Sequence, residues 1–240
     1  MSETARLEGF DVVSSSPNSL SPNDPPPKEL TKEEVQEFIK DYSQAARNAL
    51  EADNCNTRTD EYGGSVENRS RFFFEVVCAV VDAVGPGRVG VRLSPWQRYQ
   101  GMRMEDPIPE FTHVISELKS LHLAYLHLTE ARVCGNDDST DDDRIDPFVE
   151  TWGYSAPVIL AGGFKPDFAE SLLGGHFKNK NILVAFGRYF ISNPDLPFRI
   201  YCGLPPTPYD RSTFYMPMAT EGYADYRFSQ DFENSVAVGV

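Results

Sequence analysis

Two short glycine-bearing stretches are placed where chemistry could occur. Ala161-Gly162-Gly163-Phe164-Lys165-Pro166 and Phe186-Gly187-Arg188-Tyr189 each follow directly on an apolar run. Glycine lets backbone N–H groups approach a phosphate closely, and arginine adds a forked, permanently charged donor. Either glycine pair alone reads as a turn, but the two at successive strand ends read together as a phosphate cradle of Gly162, Gly163, Gly187 and Arg188. A third candidate, Arg92, sits inside the run Val89-Gly90-Val91-Arg92-Leu93-Ser94. A buried, unpaired charge is costly, so Arg92 is expected to be buried against an anion, an electron-rich ring or an acid from a neighbouring strand. Tyr209-Asp210-Arg211-Ser212-Thr213-Phe214-Tyr215 gathers aromatic residues that either close over a flat ligand or pack the sheet.

Metal chemistry has little support. His113, His122, His127 and His176 show no ligand spacing against carboxylates, and His127, in an alternating apolar run, reads as a satisfied structural histidine rather than a ligand. Cys55, Cys78, Cys134 and Cys202 lie far apart with no CxxC pair, which excludes a zinc ribbon or thioredoxin motif and leaves isolated reduced thiols. The acidic run Asp137-Asp138-Ser139-Thr140-Asp141-Asp142-Asp143 lacks the glycine and terminal glutamate of a calcium loop and reads as a solvated surface loop.

These residues need a frame to position them. Thr31-Lys32-Glu33-Glu34 has the form of a capping box, and the apolar spacing after it predicts a helix over 31–51. The polar stretch Asp53 to Gly64 follows, with no strand between. A helix is then expected over 66–84, ended by Gly85-Pro86-Gly87, and a strand over 89–94. The pattern recurs as helix 110–120 and strand 124–129, helix 146–153 and strand 157–161, helix 166–173 and strand 181–186. Apolar strands alternating with amphipathic helices define an α/β fold with a parallel sheet. Four strands are half of the eight in a closed TIM (β/α)8 barrel, so the expectation is an incomplete barrel, roughly its C-terminal half. Residues 1–30, rich in serine and proline around 14–27, are expected to be irregular, 31–226 to form the partial barrel, and 227–240 to be a tail.

Composition narrows the function. The formal net charge is −14, which argues against nucleic acid and anionic lipid as partners. With 40% hydrophobic and 24% charged residues, no apolar run long enough for a membrane helix and no signal-peptide core at the start, a cytoplasmic globular protein is expected.

Four stretches carry a specific resemblance: Asn56 through Phe72, Val89 through Trp96, Phe186 through Leu196, and Tyr209 through Tyr215. They closely resemble the old yellow enzyme family, and the ending through Gly222-Tyr223-Ala224-Asp225-Tyr226 is similar to its fungal branch, which includes NADPH dehydrogenases and ergot-alkaloid cluster enzymes acting on chanoclavine aldehyde. The resemblance implies a TIM barrel that binds FMN, takes hydride from NADPH and reduces the activated alkene of an enone or aldehyde. By the same resemblance Arg92 would be the cation beside the flavin pyrimidine ring. Gly162, Gly163, Gly187 and Arg188 would face the FMN phosphate, and Phe214 and Tyr215 would line the flavin and substrate side.

The catalytic residues of that family have no counterpart. Its His-x-x-Asn or His-x-x-His pair, which binds the substrate carbonyl, and its proton-donating tyrosine belong between the helix ending near Ala52 and Asn56, where this chain reads Ala52-Asp53-Asn54-Cys55. The family's N-terminal barrel portion is likewise unmatched. Three readings follow. In the first, the chain is an inactive, degenerate relative of the FMN and NADPH ene-reductases of fungal alkaloid-type secondary metabolism. In the second, it is an active ene-reductase whose sequence comes from a faulty gene model. In the third, it is a non-catalytic partner that completes a barrel as a homodimer or with a paralogue.

Overall fold

The computed structural model describes residues 13–14, 26–31, 56–98, 103–131, 133–134, 137–138, 143–154, 156–214, 216 and 219–238. The helix expected over 31–51, apart from Thr31, lies outside the described residues, as do Cys55 and Tyr215. The chain divides into two compact units, residues 1–160 with 180–183, and residues 161–179 with 184–240.

In the first unit a two-residue strand β1 (Val13–Ser14) pairs in parallel with β2 (Lys28–Glu29), flanking the proline-rich stretch that was expected to be irregular. The polar segment that begins at Asn56 is tied together by hydrogen bonds and ion pairs. Arg58 is only 7% exposed. Its Nε and Nη2 donate to the Asp60 carboxylate at 3.0 and 2.5 Å, and its Nη1 donates to the Leu30 carbonyl at 2.8 Å. Asn56 Nδ2 donates to the Tyr62 carbonyl at 2.6 Å, and the Tyr62 N–H donates to Asp60 at 3.1 Å. Gly63 is required there, because a Cβ would come within 2.0 Å of the Arg58 carbonyl oxygen.

The helix expected over 66–84 is two helices, α1 (Val66–Arg69) and α2 (Arg71–Val84), broken at Ser70. Ser65 caps α1 by accepting from the Asn68 N–H at 3.3 Å. The α2 helix buries Phe73, Val76 and Val77 and ends at Gly85, whose φ of 85° needs no Cβ penalty. Next come β3 (Gly90–Leu93), α3 (Ile108–Ser120), β4 (Tyr125–Thr129), a small antiparallel pair of β5 (Val133–Cys134) and β6 (Asp137–Asp138), α4 (Asp146–Trp152) and β7 (Val158–Ala161). Asp137 and Asp138 therefore sit in a strand pair rather than in an open loop.

With β8 (Ile182–Ala185) these strands form a four-stranded sheet in the order β3-β4-β7-β8. Strand β3 pairs β4 in parallel, with Gly90 opposite Tyr125, Arg92 opposite His127 and Leu93 opposite Leu128. Alternation sorts the side chains. Val91, Leu93, Leu126, Leu128, Val158, Leu160 and Ile182 are buried. Helices α3 and α4 supply Phe111, Ile115, Leu118, Phe148 and Trp152 to the same core, with Phe111 edge-on to Phe148 at 5.9 Å.

The opposite face is open. It carries Gly90, Arg92, Tyr125, His127, Ile159 and Leu183, of which Tyr125 is 37% and Leu183 53% exposed. The Tyr125 ring lies across Gly90, where a Cβ would come within 2.2 Å of it. Arg92 is exposed, which corrects the expectation that it would be buried. The run around it reads as apolar because Val91 and Leu93 alternate onto the covered face, and Arg92 does not share that face.

The second unit contains α5 (Pro166–Gly174), α6 (Arg188–Ser192), α7 (Leu196–Tyr201) and α8 (Gln230–Val238). Of these only α5 was expected from the sequence. The run Ser192-Asn193-Pro194-Asp195 ties its later segments down. Asn193 Nδ2 donates to the carbonyls of Tyr189 and Thr207, both at 2.9 Å, and the Thr207 N–H donates back to Asn193 Oδ1 at 2.7 Å. Buried Asp195 accepts from Arg199 Nε and from the Ser229 N–H, each at 2.9 Å, and from Ser229 Oγ at 2.5 Å, which anchors the start of α8. Burial alone would raise the Asp195 pKa, but the bonds from Ser229 and Arg199 outweigh it and hold the carboxyl at about 2.

Candidate functional site

Strand β7 ends in Ala161 and turns through Gly162 and Gly163, with φ of 121° and 64°. A side chain at either position would be strained, so the turn requires glycine and leaves bare backbone beyond the strand end. Strand β8 ends at Ala185, and Gly187 follows, exposed, with open space where a Cβ would stand. Arg188 begins α6, half-buried, and its guanidinium carbon stands 5.3 Å from the centre of the Tyr209 ring.

Tyr209 is part of an aromatic chain. It meets Tyr189 edge-on at 5.1 Å and stacks on Phe214 at 5.6 Å and 27°, and Phe214 leans on Tyr223 at 5.9 Å. Gly162, Gly163, Gly187, Arg188 and Phe214 thus all belong to the second unit, and Phe214 connects to Arg188 through Tyr209. Tyr215 lies outside the described residues.

Arg92 belongs to the first unit and has no hydrogen bond or ion pair among the described residues. His127 stands opposite it on β4. Burial, and then the positive charge of Arg92, lower the His127 pKa to about 4, so the imidazole is neutral at pH 7. Its Nε2 is buried without a hydrogen-bond partner among the described residues, which corrects the reading of His127 as a satisfied histidine. A neutral ring beside a guanidinium leaves the positive charge of that face concentrated on Arg92.

The donor set fits a flavin mononucleotide at its phosphate end. Bare glycine backbone and a guanidinium at strand ends are the chemistry that a phosphate dianion needs. Among the described residues no cluster of histidine, cysteine and acidic side chains could hold a metal, and no helix is long and apolar enough to cross a membrane. The sequence singled out the glycines and arginines but passed over Tyr209 as one member of an aromatic run. The signal was its position, close behind Thr207 on the segment that Asn193 ties to α6.

Residues 52–206 match the model of the NADH:flavin oxidoreductase / NADH oxidase family, and the chain belongs to that family. It is 44% identical to a chanoclavine-I aldehyde reductase of Penicillium roqueforti, in an alignment covering 95% of this chain and 67% of the relative. It is 43% identical to a reductase of Epichloe festucae var. lolii named as "probable inactive", covering 95% of this chain and 67% of that protein. Its fold superposes on the old yellow enzyme of a Pichia species with a TM-score of 0.79 and 29% identity, covering 95% of this chain and 66% of that one. The chain thus spans about two thirds of these proteins and shares the α/β barrel fold of the old yellow enzymes, with four barrel strands among its described residues.

Proposed function

We propose that this protein keeps the phosphate end of an FMN site and lacks the groups that carry out alkene reduction. The turn at Gly162 and Gly163 together with Gly187 and Arg188 is the observation that carries the first half. These residues would hold the phosphate, and Arg92 is assigned to the flavin pyrimidine ring by the family pattern. A bound FMN would supply the hydride relay from NADPH that the family directs at unsaturated aldehydes or ketones, and the Penicillium relative is named for one aldehyde, chanoclavine-I aldehyde.

The second half rests on the sequence between Ala52 and Asn56, which holds only Asp53, Asn54 and Cys55. Nothing there can polarise a carbonyl as a histidine pair does or donate a proton as a tyrosine does. Loss of one preorganised donor costs about 10² to 10³ in rate, and here donors and acid are both absent. The name of the Epichloe relative favours the same reading.

The test uses the full chain. Flavin fluorescence titration is expected to show FMN binding, and NADPH oxidation with a conjugated enone or aldehyde is expected to stay at the no-enzyme background. Turnover at a rate ordinary for an ene-reductase would overturn the inactive reading. Absence of FMN binding at millimolar flavin would overturn the cofactor reading.

A further inference from the structure

The Arg188 guanidinium is the charged donor of the proposed phosphate cradle, and an arginine side chain carries rotamer entropy that works against holding it in one place. Something must hold it without neutralising it. A carboxylate would do so at the cost of competing with the phosphate for both charge and N–H groups. A ring face would not, because stacking engages the face of the guanidinium and leaves its hydrogen-bonding edge directed in the plane.

The geometry around Tyr209 meets that requirement. Its ring stands 5.3 Å from the guanidinium carbon, within the range of a cation–π contact. The ring is itself held in place, edge-on against Tyr189 at 5.1 Å and stacked on Phe214 at 5.6 Å. Its backbone is tied to the helix that carries Arg188. The Thr207 carbonyl accepts from Ser192 Oγ at 2.8 Å and from Asn193 Nδ2 at 2.9 Å, and the N–H of Asp210 donates to Tyr226 Oη at 3.0 Å. Tyr209 is thus fixed on both sides of its own position, and it carries the arginine relative to the same helix that presents it.

We propose that Tyr209 is a positioning residue whose ring holds the Arg188 guanidinium for the phosphate of a bound flavin. This rests on the FMN reading above and adds to it how the phosphate donor is held. The role is specific to one end of the ligand. Loss of the ring should weaken binding of FMN and leave untouched riboflavin, which has the same isoalloxazine and no phosphate.

The full chain and its Tyr209→Ala, Tyr209→Leu, Tyr209→Phe and Arg188→Ala variants are titrated with FMN and with riboflavin, and their thermal melts are recorded. Tyr209→Ala and Tyr209→Leu are expected to weaken FMN about fivefold, the scale of a partly desolvated cation–π contact, with riboflavin affinity unchanged. Tyr209→Phe, which keeps the ring face, is expected to match the parent for both flavins. Adding Tyr209→Ala to Arg188→Ala is expected to cost nothing further for FMN, since the two residues act through one contact. Tyr209→Leu replaces ring with bulk, so a loss of FMN affinity in a variant with a normal melt separates positioning from folding. Equal weakening of FMN and riboflavin in the Tyr209 variants, or unaltered FMN binding in both Tyr209→Ala and Tyr209→Leu, would overturn the proposal. A parent protein that binds riboflavin as tightly as FMN would instead overturn the phosphate cradle, and the positioning role with it.

Discussion

Two arginines of the first unit, Arg58 and Arg92, show how differently the same side chain can be used. Arg58 lies in a segment that reads as polar throughout, yet it is buried, with Asp60, Glu29 and the Leu30 carbonyl around it. Arg92 lies in a run that reads as apolar, yet it is exposed and stands opposite a neutral imidazole across the strand pair. The first is consumed by the fold and the second, among the described residues, is left available. Burial and satisfaction, not the polarity of the local sequence, distinguish a structural charge from one kept for a ligand.

The comparison can be broken by removing each arginine in turn. Arg58→Ala strips the partner from the partly buried Asp60 and from the Leu30 carbonyl, and it is expected to cost about 3 kcal/mol of stability by urea denaturation. Arg92→Ala is expected to change stability by less than about 0.5 kcal/mol, as for an exposed side chain away from any network, and to weaken FMN binding. Equal stability losses for the two variants would mean that the open face of the sheet is not open in solution.

The second unit allows a pH test of moderate size. Asp195 holds the start of α8 through Ser229 and the first turns of α7 through Arg199. Its folded pKa of about 2 lies below the ordinary value of 3.8, so its contribution is fully present above pH 4 and is lost as pH falls from about 4 toward 2. The difference corresponds to about 2 kcal/mol. In Asp195→Asn, which still accepts hydrogen bonds but carries no charge, that acid limb of the stability curve is expected to flatten. A variant curve parallel to the parent over this range would show that the acid sensitivity lies elsewhere.

The legible part of the fold was the part governed by alternation. Strands 124–129 and 157–161 were placed to within a residue, since Leu126, Leu128, Val158 and Leu160 recur every second position and their flanks carry turn residues. The short helices α6 and α7 escaped because Pro194 separates them and neither is long enough to show a helical period. The turn at Gly162 and Gly163 is legible because its backbone requirement is local. The Arg188–Tyr209 contact and the unsatisfied nitrogen of His127 are not, since both depend on residues that only the folded chain brings together.

The last test concerns His127, the neighbour that separates Arg92 from Arg58 most clearly. Its folded pKa of about 4 lies below the ordinary 6.5, so the unfolded chain takes up a proton at a pH where the folded one does not. Stability from this residue is therefore fully present above about pH 6.5 and declines as pH falls toward 4, a window higher than that of Asp195. His127→Gln keeps a neutral polar group opposite Arg92 and is expected to remove that decline between pH 6.5 and 4 while leaving the step below pH 4 in place. In the parent, the histidine ring proton shift read by NMR is expected to titrate near 4. A midpoint near 6.5 would mean that the ring is solvated and bonded, and that Arg92 does not keep this face of the sheet to itself.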